Sequence, residues 1–144
     1  MVVKIKYLQK NVSVPEYATQ GSAGMDLAAA VSGPVTVPAG GRALIPTGIA
    51  VQIPEGYGGF IFPRSGLAFK KGISMCNSVG VIDSDYIGEI KVAVHNISEA
   101  GYTINPGDRI AQLVFMPVVR VQWEEVEELE QTERGAGGFG STGR

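Results

Sequence analysis

The chain has 144 residues, of which 44% are hydrophobic and 18% charged, and its formal net charge is −2. This length and composition predict one folded domain with a core of its own. No apolar run reaches the roughly 18 residues of a membrane span, and no concentrated basic face indicates a nucleic-acid partner. We therefore expect neither membrane nor nucleic acid as a partner.

Cysteine content and the N-terminus indicate the compartment. The N-terminus lacks the basic and apolar regions of a secretory signal. Cys76 is the only cysteine, so an intrachain disulfide is excluded. We expect a reducing compartment and a cytoplasmic protein.

Short apolar segments separated by glycine and proline turns follow one another along most of the chain. Strands are predicted at residues 2–8, 25–31, 35–37, 43–53, 60–62, 90–95, 102–104 and 110–119. Pro46 and Gly48 interrupt one of these segments, which indicates an edge strand or a bulge. Residues 65–71 are the one segment of the body that favours a helical turn. This pattern predicts an all-β sandwich or barrel.

The composition changes near residue 123. Residues 1–123 carry ten Lys or Arg and eight Asp or Glu, whereas residues 124–144 carry two and six. Five of the last eleven residues are glycine, and such a segment buries too little surface to order itself. We predict a β domain at 1–123 and a flexible C-terminal arm at 124–144.

The segment from Asn77 to Glu89 has the features of a pocket wall. Gly80 and Gly88 tolerate unusual backbone angles, so the segment is predicted to fold back as a hairpin. Such a hairpin would hold Asp83 close to Tyr86. Aspartate is also common in turns for purely local reasons, so both interpretations stay open here.

Two further sites are candidates for an anion. Arg64-Ser65-Gly66 follows a strand and precedes the helical turn, where a guanidinium, a hydroxyl and free N–H groups would bind a phosphate. The alternative is that Arg64 pairs with a carboxylate and Ser65 caps the turn. Gln112 lies in an apolar strand, where its amide either satisfies a neighbour's backbone or faces a ligand.

The glycine-rich tail is a candidate lid. Its glycine N–H groups, two hydroxyls and Arg134 would surround phosphates while Phe139 stacks on a flat ring. A flexible linker is the simpler interpretation of such a tail.

Five segments, in order, resemble the motifs of the homotrimeric dUTPase family. They are Ala23-Gly24-Met25-Asp26-Leu27, Pro63-Arg64-Ser65-Gly66-Leu67-Ala68, the segment 77–89 with Gly-Val-Ile-Asp-Ser-Asp-Tyr, Gly107-Asp108-Arg109-Ile110-Ala111-Gln112-Leu113, and residues 134–143. The resemblance implies a distorted β jelly roll that assembles as a homotrimer with active sites shared between chains. The implied substrate is dUTP, hydrolysed to dUMP and pyrophosphate.

The resemblance also implies roles for individual residues. Asp83 would be the general base for a water that attacks the α-phosphorus, Tyr86 would pack under deoxyribose and exclude a 2′-hydroxyl, and Asp85 would be structural. The implied nucleoside-binding residues are Asn77, Val81, Ile82, Asp83, Tyr86, Lys91 and Phe139. The implied phosphate-binding residues are Arg64, Ser65, Gly66, Gln112, Arg134, Gly138, Ser141 and Thr142. The resemblance implies that Mg²⁺ would be held mainly by the substrate phosphates, with Asp26 acting through water.

Two other functions remain possible for the same fold. One is a dCTP deaminase, or a bifunctional deaminase, although no glutamate corresponding to that activity is found in the 77–89 segment. The other is a catalytically silent trimer that binds nucleotides or proteins.

Overall fold

The fold consists of ten strands and one helix within residues 1–138, the part of the chain that the computed structural model describes. The elements are β1 Lys4–Tyr7, β2 Met25–Ala28, β3 Val35–Val37, β4 Arg42–Gln52, β5 Tyr57–Pro63, α1 Ser65–Lys71, β6 Ile73–Met75, β7 Gly80–Ile82, β8 Glu89–Asn96, β9 Tyr102–Ile104 and β10 Arg109–Pro117.

The strands form two four-stranded sheets in the orders β1-β4-β8-β6 and β2-β10-β5-β7, while β3 pairs with β9. All pairings are antiparallel. Neighbouring strands are mostly distant in sequence, so the chain crosses repeatedly between the sheets. This arrangement confirms the predicted all-β jelly roll.

Alternating burial along β8 shows how the core forms. Ile90, Val92 and Val94 are fully buried, whereas Lys91 between them is exposed. Burying each of these side chains contributes roughly 1.5–3 kcal/mol. The strand is therefore held firmly, and it gives Glu89, its first residue, a fixed position beside the loop that precedes it.

The predicted bulge in segment 43–53 is confirmed, but the alternative of an edge strand is wrong. Strand β4 lies between β1 and β8. Its register shifts between Pro46 and Ala50, where Gly48 has a φ of 70°. The Thr47 hydroxyl donates to the Ile90 carbonyl over 2.6 Å. This carbonyl thus has a donor at the bulge, where Pro46 has no backbone N–H.

The predicted hairpin at residues 77–89 is wrong. Strand β7 pairs with β5 in one sheet, whereas β8 pairs with β4 and β6 in the other. Residues 83–88, which we call the 83–88 loop, therefore cross between the two sheets. Glycines at both ends suit a crossing loop as well as a tight turn, and local sequence does not distinguish the two.

Helix α1 occupies the predicted helical segment. Arg64, not Ser65, is the residue that precedes it, and no side chain caps its first turn. The alternative that Ser65 caps the turn is therefore wrong. Gly72 ends the helix with a φ of 66°, and its N–H donates to the Ala68 carbonyl. Within residues 1–138, no helix combines the length and apolar character that a membrane span requires.

Strand structure ends at Pro117. Residues 118–136 are exposed and contain neither helix nor strand. The boundary between residues 123 and 124 remains a prediction.

Candidate active site

A cleft of about 370 Å³ lies where the 83–88 loop joins the two sheets. We call it the Asp83 cleft; it is lined by Leu44, Val81, Ile82, Asp83, Tyr86, Glu89 and Lys91. The structure thus brings five predicted nucleoside-binding residues together. Leu44 and Glu89 were not predicted, and no local sequence signal marks them.

Hydrogen bonding distinguishes the carboxylates of this cleft. Glu89 accepts from the Gly48 N–H over 3.1 Å and lies 3.7 Å from the Lys91 ammonium. No group in residues 1–138 donates to the exposed Asp83 carboxylate. Asp83 is therefore the carboxylate of the cleft that is available to a water molecule.

The Tyr86 side chain is held at the other side of the loop. Its hydroxyl donates to the Glu89 carbonyl over 2.9 Å, and its backbone N–H donates to the Asp83 carbonyl over 3.2 Å. The residue is 44% exposed, so the phenol ring presents surface to the cleft. A fixed aromatic surface of this kind suits the face of a sugar or base.

Asn77 lies in the turn between β6 and β7. Ser78 after it has a φ of 59°, and the Val79 N–H donates to the Asn77 carbonyl over 2.6 Å. Asn77 is exposed, and among the described residues it is not one of those that line the Asp83 cleft.

A second cleft, of about 400 Å³, lies at the start of α1. We call it the Arg64 cleft; it is lined by Asp26, Arg64, Ser65, Gly66, Leu67, Lys70, Lys71 and Gln112. The structure thus brings together four predicted phosphate-binding residues and Asp26, the residue predicted to contact Mg²⁺ through water. Three cationic side chains against one carboxylate make the cleft suited to an anion.

Arg64 is fixed within this cleft by Asp26. The Arg64 Nε donates to Asp26 Oδ1 over 2.7 Å, and Nη2 lies 3.5 Å from Oδ2. The alternative that Arg64 pairs with a carboxylate is thus confirmed. It does not exclude an anion site, because the remaining donors of a guanidinium stay available.

Arg109 is a neighbour of this pair that the sequence did not assign to the site. Its Nη1 donates to Asp26 Oδ2 over 2.9 Å, and its carbonyl accepts from Arg64 Nη1 over 3.4 Å. Asp26 lies in β2 opposite Gln112 of β10, so β10 brings Arg109 to the carboxylate. The Arg109 side chain is 59% exposed, so this is an ion pair at the surface, formed within one chain.

Gln112 fulfils the first of its two predicted roles. Its Nε2 donates to the Pro63 carbonyl over 3.1 Å, immediately before Arg64. The amide is also part of the cleft wall. It therefore holds the end of β5 in place beside the site.

The two clefts lie far apart within one chain. Strand β7 pairs antiparallel with β5, and Ile82 lies opposite Gly59. Arg64 follows the other end of β5, five residues from Gly59. At about 3.3 Å per residue, Gly59 beside the Asp83 cleft and Arg64 in the Arg64 cleft are separated by more than about 15 Å along β5.

The described part of the tail forms a turn. The Gly135 N–H donates to the Thr132 carbonyl over 3.0 Å, and Arg134 Nε donates to the Gly137 carbonyl over 2.9 Å. Gly138 is the last described residue. The predicted lid residues Phe139, Ser141 and Thr142 lie outside the described residues.

Residues 1–138 contain no group of three or more His, Cys, Asp or Glu that would hold a metal ion by themselves. Asp26 is the carboxylate of the Arg64 cleft, and two arginines already occupy both of its oxygens. Four acceptor sites on a carboxylate leave capacity for a water molecule. Contact through water is compatible with Mg²⁺, which usually keeps several of its own waters when it binds to protein carboxylates.

The family comparison covers nearly the whole chain. The family model described as dUTPase matches residues 10–143. The deoxyuridine 5'-triphosphate nucleotidohydrolase of Idiomarina loihiensis is 53% identical and covers 99% of this chain and 97% of that protein. The protein of that name from a Wolbachia species is 54% identical and covers 99% of this chain and 94% of its own length.

Solved structures agree with this result. The Staphylococcus bacteriophage 80alpha dUTPase with dUPNHPP superposes with a TM-score of 0.92, at 32% identity over 99% of each chain. The dUTPase of phage phi11 of S. aureus superposes with a TM-score of 0.83, at 28% identity over 92% of this chain and all of that one. The chain described here belongs to the dUTPase family.

Proposed function

We propose that this protein hydrolyses dUTP to dUMP and pyrophosphate through attack of water on the α-phosphorus. The observation that carries the activity is its match, along almost the whole chain, to proteins named for hydrolysing deoxyuridine 5'-triphosphate. The reaction keeps uracil out of DNA and supplies dUMP for dTMP synthesis. With one cysteine in the sequence, a reducing compartment, the cytoplasm, is the proposed location.

Asp83 acts as the general base. Its carboxylate is exposed in the cleft and accepts from no described residue, which leaves it available to a substrate water. Hydrolysis of this kind requires only that the base reaches one water, so no covalent nucleophile is needed. The competing carboxylates support this choice, because Glu89 and Asp26 both have cationic or N–H partners.

The Asp83 cleft receives the nucleoside. Backbone groups near Val81 and Ile82 pair with the uracil edge, and Tyr86 packs under deoxyribose. Asn77 approaches the base from the turn before β7, and Lys91 lines the cleft from β8. Phe139 of the tail stacks over uracil. Support comes from the apolar and aromatic character of the cleft, which suits a neutral base and sugar.

The Arg64 cleft receives the triphosphate. Its oxygens are contacted by Arg64, Ser65, Gly66 and Gln112. The tail adds further hydrogen-bond donors, from Arg134, Gly138, Ser141 and Thr142. Asp26 would hold Mg²⁺ through water while the substrate phosphates supply the remaining ligands. When bound, Mg²⁺ neutralises phosphate charge, which favours approach of a nucleophile.

Replacing Arg109 tests whether the fixed pose of Arg64 matters. Arg109→Gln is expected to raise KM for dUTP about three- to tenfold, because Asp26 loses one of the two partners that orient it. Thermal stability should change little, since the pair is exposed and such pairs contribute about 0.2–1 kcal/mol. Steady-state kinetics measure the KM for dUTP. The control is Arg42→Gln, which makes the same charge change outside both clefts. An unchanged KM would show that Arg109 has no influence on the phosphate site.

Separation of the clefts supports a shared active site. If one chain held the whole substrate, dUTP would have to reach from the Asp83 water to the Arg64 side chain, yet these residues are more than about 15 Å apart along β5 in one chain. A homotrimer that places the Asp83 cleft of one chain against the Arg64 cleft of the next resolves this conflict. The tail then closes the site from a further chain.

Mixing two inactive variants tests the shared site. Asp83→Asn and Arg64→Ala chains are refolded together at equal amounts and assayed for pyrophosphate release. Random assembly gives about one quarter of the sites an intact Asp83 and an intact Arg64 from different chains, so about a quarter of wild-type turnover should return. The separately refolded variants, mixed afterwards, are the control. A mixture that stays as inactive as its components would place both residues in a site within one chain.

Product analysis tests the reaction itself. Purified protein with Mg²⁺ is given dUTP or dCTP, and the products are separated by chromatography. We expect dUMP and pyrophosphate from dUTP, and no uracil nucleotide from dCTP. The glutamate of the Asp83 cleft is bound to Gly48 and Lys91, which gives no support to the deaminase alternative. Formation of dUMP or dUTP from dCTP would establish it, and binding of dUTP without turnover would favour the silent nucleotide-binding trimer.

A further inference from the structure

The Tyr86 ring lies directly against the backbone of Gly88. A methyl group built on Gly88 would lie 2.6 Å from the Tyr86 hydroxyl oxygen, 2.7 Å from Cζ and 3.1 Å from Cε2. Carbon atoms in proteins do not approach this closely, because contact is optimal near about 3.5–4.0 Å. The observed position of the ring therefore requires that residue 88 has no side chain.

Backbone conformation does not account for this glycine. Gly40, Gly48, Gly56, Gly72, Gly107 and Gly135 are the described glycines with positive φ, and Gly88 is not among them. Alanine would fit the backbone angles at position 88 without the strain that it meets in the left-handed region. The requirement for glycine here comes from the Tyr86 ring.

Glu89 completes the support of the ring. Its carbonyl accepts from the Tyr86 hydroxyl over 2.9 Å, and its carboxylate accepts from the Gly48 N–H in the bulge of β4. The phenol thus packs against the backbone of Gly88, where no side chain stands in its way, and its hydroxyl is fixed by the hydrogen bond to the Glu89 carbonyl. Its position is defined by the loop rather than by a bound ligand.

We infer that Gly88 is a specificity-determining positioning residue, which sets the depth at which the Tyr86 ring lies in the Asp83 cleft. This inference rests on the proposed function, in which the ring packs under deoxyribose, and on the role implied by the family resemblance, in which it leaves no space for a 2′-hydroxyl. Adding a methyl group at residue 88 moves the ring toward the cleft opening or to one side. The surface that separates deoxyribose from ribose is then displaced, although every residue in contact with substrate is retained.

Substitution of Gly88 by alanine tests this with little risk to folding. The clashing atoms belong to the end of one half-exposed side chain, which moves more easily than backbone. In Gly88→Ala, the ratio of kcat/KM for dUTP over UTP should fall about tenfold or more, as expected for a small change in a steric pocket. Gly33→Ala is the matched control, because a methyl group there meets no atom within 4 Å. Selectivity equal to that of wild type in Gly88→Ala would overturn the inference.

A double-mutant cycle separates positioning from a general structural effect. Tyr86→Ala and the double variant Gly88→Ala/Tyr86→Ala should show the same dUTP over UTP ratio, because Gly88 acts through the ring. A further loss in the double variant, as large as the loss caused by Gly88→Ala alone, would contradict the inference.

The activity of wild-type protein and the selectivity of Gly88→Ala distinguish a failure of the proposed function from a failure of the positioning role. If wild-type protein hydrolyses dUTP and Gly88→Ala keeps its selectivity, the inference fails and the function stands. If wild-type protein does not hydrolyse dUTP, the function fails, and a crystal structure of Gly88→Ala decides the positioning role. A displaced phenol, with its bond to the Glu89 carbonyl broken, supports that role, and an unmoved phenol overturns it.

Discussion

Asp83→Asn is expected to lower kcat for dUTP by about 10³-fold while the dissociation constant for dUTP changes little. Asparagine keeps the size and polarity of the side chain, so the cleft keeps its shape, but an amide does not accept a proton from water. Single-turnover kinetics and calorimetric titration with a non-hydrolysable analogue measure the two quantities separately.

Asp85→Asn is the matched control for this substitution. Asp85 lies in the same loop and is also exposed, but it is not among the described residues that line the Asp83 cleft. Its kcat should stay within about threefold of wild type, as is usual for a surface carboxylate outside the site. Near-normal pyrophosphate release by Asp83→Asn, or an equal loss in both variants, would show that the base is another group.

Truncation after Glu133 is expected to leave a folded oligomer with turnover reduced by about tenfold or more. The core is complete without the arm, since strand β10 ends at Pro117 and residues 118–136 are exposed. The truncation removes Arg134, Gly138 and the rest of the proposed lid. Sedimentation and thermal unfolding should therefore match the full chain while kcat/KM for dUTP falls. Full turnover in the truncated protein would reduce the tail to a linker.

Secondary structure was largely predictable because it depends on local sequence. Alternation in β8 and the glycine and proline turns between strands identified most of the elements, and Ser65–Lys71 was found as the helical segment. Strand β6 at Ile73–Met75 was not predicted, and β7 at Gly80–Ile82 lies in the segment that was assigned to a hairpin. Strand pairing was not predictable in this way, because it depends on contacts between distant segments.

The 83–88 loop illustrates this difference. Its glycines and carboxylates indicated a turn, and the sequence supported a hairpin as well as a crossing between sheets. The structure distinguishes the two through the pairing of β7 with β5 and of β8 with β4. The same pairing explains why Asp83 and Arg64 lie at opposite ends of β5.

The residues of the site were identified mainly through the family resemblance, whereas their supports were not. Arg109, Glu89 and Gly88 act on neighbours through hydrogen bonds or close contact. No spacing in the sequence indicates that Arg109 meets Asp26, since these residues are 83 positions apart. Such partners become visible only when the sheets bring distant strands together.

Hydrolysis in water enriched with ¹⁸O shows which phosphorus of dUTP the water attacks. Attack on the α-phosphorus places the new oxygen on dUMP, so mass spectrometry should find one ¹⁸O in dUMP and none in pyrophosphate after a single turnover of dUTP. Label in pyrophosphate would mean attack on the β-phosphorus, and it would contradict the role assigned to Asp83 and to the water beside it.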